Sequence, residues 1–203
     1  MHLSTTLIAT TLLSTALAVP AVTTKLLEPA DCRWWPQRSQ IFVSSSDDPY
    51  VNSLPAQPYK FQFGSRVLSL LAIDFRASGR FAKQIYACSG NSPVIPGNPS
   101  QKLSISQDRQ NAHILIEAPA EETLVPELYE HYINGVKQEG RFLGAKGLTT
   151  WGFRYVEATC NADNATLFTR DSYEVKLQGL PNSPYDSAGY PSEFEGFLKV
   201  VQY

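Results

Sequence analysis

The residue types that perform most enzymatic chemistry are sparse in this chain. Its 203 residues include three histidines and three cysteines, and no Gly-x-Ser-x-Gly motif marks a nucleophilic serine. None of the cysteines stands in a cysteine-protease motif. Glu127 and His131 are four residues apart and would share one face of a helix, but two potential ligands do not make a metal site. We therefore expect no metal and no cofactor.

Carboxylates remain, and glycoside hydrolysis needs only two of them facing each other across a cleft. Glu130 stands in the segment Tyr-Glu-His-Tyr-Ile, and Glu195 stands in Phe-Glu-Gly-Phe. Both segments are similar to short motifs of the small secreted jelly-roll xylanases. The resemblance covers fewer than ten residues of the chain. It implies that Glu130 is the nucleophile and that Glu195 is the acid/base.

Aromatic side chains offer a second way to hold a sugar, because a flat ring can stack on a pyranose while its polar tip forms hydrogen bonds. Trp34 and Trp35 are adjacent in a proline-containing extended segment, so their side chains should point oppositely and leave one indole partly exposed. Tyr185 and Tyr190 lie in a loop (181–191) rich in Asn, Ser, Pro and Gly, a composition typical of binding loops. We predict Trp34, Tyr185 and Tyr190 as binding residues.

Strands are the elements predicted to position these side chains. Tyr173, Val175 and Leu177 alternate with polar residues, and Trp151 belongs to another alternating run that is expected to face the core. Turn signals separate the short runs. Strands are predicted at 40–44, 59–63, 102–106, 112–118, 150–160, 173–178 and 194–202. This pattern predicts a mainly-β fold, an antiparallel β-sandwich or jelly roll, with a small β-barrel as the alternative.

Residues 65–88 are predicted to form a hairpin, because an apolar run, the turn sequence 77–79 and a second apolar run follow one another. The first run has apolar residues on both faces, which is typical of a central strand. Residues 19–40 contain several prolines and are expected to be irregular.

The segment 124–143 fits two structures. Asn134-Gly135 between two strand-like runs is a strong hairpin signal. The apolar residues of 124–133 also recur at helical spacing, with Pro126 in the first turn and Gly135 just beyond the end. We prefer one short helix at about 124–133.

The first eighteen residues read as a secretory signal peptide. An apolar run from Leu3 to Leu17 ends in Ala16-Leu17-Ala18, the small-x-small pattern of a cleavage site, and the run is too short to span a bilayer. We predict a signal peptide at 1–18 and one secreted domain at 19–203. The C-terminus has no hydrophobic tail, so we expect a released protein without a membrane anchor.

The cysteines and one glycosylation sequon are consistent with secretion. In an oxidising compartment two of Cys32, Cys88 and Cys160 should pair. We prefer a Cys88–Cys160 disulfide, because both residues stand where an apolar run ends in turn residues, and the two pairings with Cys32 stay open. Asn164 begins an acceptable glycosylation sequon.

Charge narrows the choice of partners. The formal net charge is −2, which argues against nucleic acid, and no polybasic run would attract an anionic membrane. We expect a monomeric, non-enzymatic extracellular protein that binds a glycan, a cell surface or a host or partner protein. The alternatives are a carboxylate-based glycoside hydrolase on a jelly-roll fold and a structural or interaction protein without a ligand site.

Overall fold

A computed structural model of the chain describes residues 21–27, 34–63, 66–73, 84–89, 92–106, 115–118, 123–157, 171–180 and 193–203. In these residues the regular secondary structure is entirely strand. The strands form one curled antiparallel sheet, a half-barrel. The mainly-β prediction is confirmed, and the single curled sheet is closer to the barrel alternative than to a sandwich of two sheets.

Fifteen strands occur in the described residues. They are β1 (Thr23–Leu26), β2 (Ser39–Ser44), β3 (Ala56–Phe63), β4 (Arg66–Ile73), β5 (Ala87–Ser89), β6 (Ser92–Ile95), β7 (Asn98–Ser106), β8 (Leu115–Ala118), β9 (Thr123–Leu124), β10 (Glu127–Ile133), β11 (Val136–Lys137), β12 (Arg141–Gly144), β13 (Thr150–Val156), β14 (Ser172–Leu177) and β15 (Phe194–Gln202). Hydrogen bonds link them in the order β1-β10-β12-β15-β13-β14-β4-β8-β7-β6-β5. In addition, β2 pairs with β15, β3 with β4, β9 with β7 and β11 with β10.

Strand β15 lies inside the sheet. One of its edges pairs with β2 from Phe197↔Ser44 to Gln202↔Ser39. Its other edge pairs first with β13 and then with β12. Three of its consecutive residues, 196–198, are buried, so side chains on both faces of this strand are covered.

One face of the sheet carries the main core, and we call it the core face. Leu128 of β10 pairs with Leu143 of β12, and both are buried in this core with Leu198 and Val200 of β15. Trp151 is fully buried there, as predicted, and its indole N–H donates to the Leu143 carbonyl oxygen at 2.8 Å. The indole thus buries its apolar surface without losing a hydrogen bond.

A smaller aromatic cluster occupies the opposite face. The His131 ring stacks on Phe142 with centroids 3.7 Å apart and meets the edge of Phe197 at 4.6 Å. His131 is 1% exposed, and its Nε2 has no hydrogen-bond partner. Burial lowers the pKa of His131 to about 4, because the apolar surroundings disfavour the imidazolium. Strand β10 therefore buries residues on both faces.

The predicted helix at about 124–133 is wrong. Leu124 ends β9 and 127–133 form β10, and the sharp turn lies at Asn134 and Gly135, whose φ angles are 51° and 78°. Two positive φ values in a two-residue loop define the type I′ hairpin turn that Asn-Gly favours. Ile133 then pairs with Val136. Because both faces of β10 are buried, its apolar residues also match helical spacing. Backbone pairing with β1 and β12 stabilises the strand instead.

Two other local predictions also need correction. Strand β4 pairs with β3 along one edge and with β8 and β14 along the other, whereas β5 pairs with β6. The predicted hairpin within 65–88 is therefore wrong, because strands other than β5 occupy both edges of β4. Its predicted turn, 77–79, lies outside the described residues. The segment 19–40 is not wholly irregular, since it contains β1. That strand is mostly exposed and lacks an apolar alternation, so backbone pairing to β10 holds it.

The remaining strand predictions all overlap observed strands. These strands are β2, β3, β7, β8, β13, β14 and β15. The alternation of buried and polar residues identified them correctly, although it did not show which strands are neighbours.

Candidate binding groove

An open groove of about 490 Å³ lies where the core face ends. Along β10, Leu128 belongs to the core and Glu130 follows on the same face towards the Asn134-Gly135 turn, because alternate residues share a face. The lining residues include Leu27, Trp34, Glu130, Lys137, Glu139 and Arg141. We call this feature the Trp34 groove. It combines one large aromatic ring with charged side chains, and two of its lining residues, Trp34 and Glu130, were singled out from the sequence.

The two adjacent tryptophans divide between core and groove. Trp35 is 4% exposed and packs in the core, whereas Trp34 is 47% exposed. This confirms the prediction that one indole of the pair remains partly exposed. The guanidinium of Arg141 donates a hydrogen bond to the Trp34 carbonyl oxygen. Arg141 thereby ties the irregular Trp34 segment to β12.

Glu130 is held by two hydrogen-bond donors. Its Oε1 accepts from Lys137 Nζ, and its Oε2 accepts from the Tyr132 hydroxyl at 2.7 Å. The bond from Lys137 is the main cause that lowers the pKa of Glu130, and the Tyr132 bond adds to it. The same contacts raise the pKa values of Tyr132 and Lys137. Glu130 is thus an ionised carboxylate whose two oxygens each accept a hydrogen bond.

Glu195 lies on the other face of the sheet. Tyr129 pairs with Phe142 and Phe142 pairs with Lys199, so these three side chains share one face. Glu195, four residues before Lys199, is on that face too, whereas Glu130, next to Tyr129, is on the core face. The glycosidase scheme requires two carboxylates that face each other across a cleft. Glu130 and Glu195 do not, because they lie on opposite faces of the sheet. The structure therefore does not bring together the two residues that the resemblance to jelly-roll xylanases implies as the catalytic pair.

A second polar cluster lies within the core. Glu117 Oε1 accepts from the Tyr86 hydroxyl at 2.6 Å, and Oε2 accepts from Ser69 Oγ at 3.0 Å. All three residues are less than 5% exposed. Burial is the main cause that raises the pKa of Tyr86 well above its usual value, and the Glu117 carboxylate adds to it. Because solvent does not reach the cluster, we assign it a structural role, joining β4 and β8 to the segment before β5.

Sequence reasoning did not single out this cluster. The sequence feature that indicates it is Glu117, which directly follows the apolar run 114–116. A charged residue at that place in a strand needs hydrogen-bond partners if it is buried. The partners themselves come from 31 and 48 residues away in the chain. No spacing rule connects such distant positions.

Several predicted residues lie outside the described ones. These are residues 1–18, Tyr185, Tyr190, Cys160 and Asn164. Cys88 lies exposed in β5, and its pairing with Cys160 stays a prediction. The described ranges contain no group of three or more His, Cys, Asp or Glu residues arranged to hold a metal ion. Nor do those ranges include a helix of the length and hydrophobicity that crossing a membrane requires.

Comparison with known proteins adds no assignment. The chain matches no protein-family model, and no curated protein is significantly similar to it in sequence.

Proposed function

We propose that the chain is an extracellular binding protein that holds a glycan in the Trp34 groove. The observation that carries the proposal is the indole of Trp34, which is 47% exposed in a groove that is also lined by side chains able to donate and accept hydrogen bonds. An apolar aromatic face beside polar groups is the chemistry that binds a pyranose ring. Lys137 and Arg141 supply donors to the sugar hydroxyls, and Glu139 supplies acceptors.

The proposal includes the predicted destination of the protein. The pattern at 1–18 supports a cleaved signal peptide and a secreted product. A Cys88–Cys160 disulfide and a glycan on Asn164 suit the same compartment. The partner is a glycan or an extracellular protein that carries one. Tyr185 and Tyr190 remain candidates for a second contact surface.

Titration calorimetry of the secreted protein with soluble oligosaccharides tests the proposal. The probes are oligomers of glucose, of xylose, of N-acetylglucosamine and of galacturonic acid. We expect at least one of them to bind and Trp34→Ala to weaken that binding about tenfold, which corresponds to the roughly 1.4 kcal/mol of one aromatic stacking contact. Trp34→Phe keeps an aromatic face and should retain most of the affinity.

Tyr50→Ala is the matched control, because Tyr50 is an exposed aromatic residue (89%) and does not line the groove. It should bind as the wild type does. If no probe binds, or if Trp34→Ala and Tyr50→Ala bind equally well, the Trp34 groove is not a glycan site.

A further inference from the structure

The two cations of the Trp34 groove differ in their partners. Lys137 is paired with the Glu130 carboxylate. Arg141 donates to the neutral carbonyl oxygen of Trp34, and no carboxylate of the described residues forms an ion pair with it. Arg141 is therefore a cation in the groove without an ion-pair partner among the described residues.

A guanidinium has five N–H donors in a planar fork. One bond to Trp34 leaves donors for a ligand, and the fork fits the two oxygens of a carboxylate. Glu139 also lines the groove but is not paired with Arg141. Lys25 lies opposite Glu130 on β1 and adds a positive charge beside the groove. The groove therefore offers one carboxylate-binding position next to one stacking surface.

We infer that the ligand of the Trp34 groove is an acidic sugar, a uronate residue of an oligosaccharide whose carboxylate is bound by Arg141 while its ring stacks on Trp34. The inference rests on the proposed function and specifies its ligand. A uronate carries its carboxylate directly on the pyranose ring, so a single sugar residue can occupy both positions. A neutral sugar occupies the stacking position alone.

Oligogalacturonate and its fully methyl-esterified form test the inference, because they share the sugar ring and differ in charge. By calorimetry we expect the wild type to bind the free acid about tenfold more tightly than the ester, as a charge-assisted hydrogen bond predicts. That preference should shrink when the salt concentration rises from about 0.05 M to about 0.5 M. Arg141→Gln, which keeps an amide donor in place of the guanidinium, should bind the acid and the ester equally.

Lys102→Gln is the control for loss of one positive charge, because β7 is far from β10 and β12 in the strand order. It should keep the wild-type preference. Arg141→Lys keeps the charge without the fork and should retain only part of the preference. Urea unfolding curves establish that each variant is folded. The comparison of acid with ester in the wild type tests the inference even if a variant does not fold.

Each outcome separates the inference from the proposed function. Equal binding of acid and ester by the wild type overturns the inference and leaves glycan binding intact. Loss of both probes in a folded Arg141→Gln protein means that Arg141 only positions Trp34, and it also overturns the inference. A hexaglutamate peptide that binds as tightly as the oligogalacturonate overturns the assignment to a sugar. If no oligosaccharide binds at all, the proposed function fails as well.

Discussion

Acid should destabilise this protein through His131, and replacing that residue by Phe should remove the effect. His131 lies between Phe142 and Phe197 with its Nε2 unpartnered. The imidazole is neutral in this environment, and protonation would place an uncompensated charge among aromatic rings. Phe preserves the stacked ring and cannot take up a proton.

The size of the effect follows from the two pKa values. The pKa is about 4 in the folded protein and 6.5 in the unfolded chain. On acidification the unfolded chain binds the proton first, so the free energy of unfolding decreases as the pH falls below 6.5 and levels off below 4. Linkage gives a loss of about 0.8 kcal/mol at pH 6, about 2 kcal/mol at pH 5 and at most about 3 kcal/mol at lower pH.

Urea denaturation followed by tryptophan fluorescence at pH 7.5, 6 and 5 measures this loss. Other acidic and basic groups also titrate, so the relevant quantity is the difference between wild type and His131→Phe at each pH. That difference should shift by about 2 kcal/mol in favour of the Phe variant between pH 7.5 and pH 5. Val43→Ala, which trims a buried residue of the core face without changing a titratable group, should be destabilised equally at each pH. A constant difference between wild type and His131→Phe would refute the reasoning.

Two further predictions concern the fold. Gly144→Ala should lower the free energy of unfolding by about 3 kcal/mol or more in urea denaturation, because the added Cβ would overlap the Leu148 backbone carbonyl. Gly147→Ala should lower it by about 1 kcal/mol, because its Cβ would enter open space but its φ is 83°. Equal losses in the two variants would contradict the packing argument. Tyr86→Phe should lose about 2 kcal/mol, because it removes a buried hydroxyl that donates to the Glu117 carboxylate. The raised pKa of Tyr86 means that the folded protein holds this proton more tightly than the unfolded chain does. The wild type should therefore lose stability above about pH 10 as this group ionises in the unfolded chain, and Tyr86→Phe should not show this loss.

Local patterns predicted those features of the molecule that depend on neighbouring residues. The opposite directions of Trp34 and Trp35 follow from the alternation of an extended chain, and their exposures of 47% and 4% agree with it. The core position of Trp151 follows from the same alternation. The Asn134-Gly135 pair predicts the hairpin turn that the chain forms, whereas the apolar spacing of 124–133 predicts a helix that it does not form.

Features that join distant segments could not be predicted in this way. Arg141 and Trp34 are 107 residues apart in the chain, and no periodicity connects them. The sequence of β10 does not predict a strand, because a strand covered on both faces loses the simple alternation of apolar and polar residues. The opposite faces of Glu130 and Glu195 depend on the registers of β10, β12 and β15, which follow from the assembled sheet.

The position of β15 determines when the half-barrel can form. Among the described strands β15 comes last in chain order, yet it joins β2 to β12 and β13. Until it emerges from the ribosome, the edges of β2 and β13 lack their partner and expose backbone donors and acceptors that invite incorrect pairing. Contacts between such distant segments also slow folding, because the chain loses the entropy of loop closure before the pairing is gained. The sheet should therefore close only once β15 has been synthesised, in one late step that this strand completes.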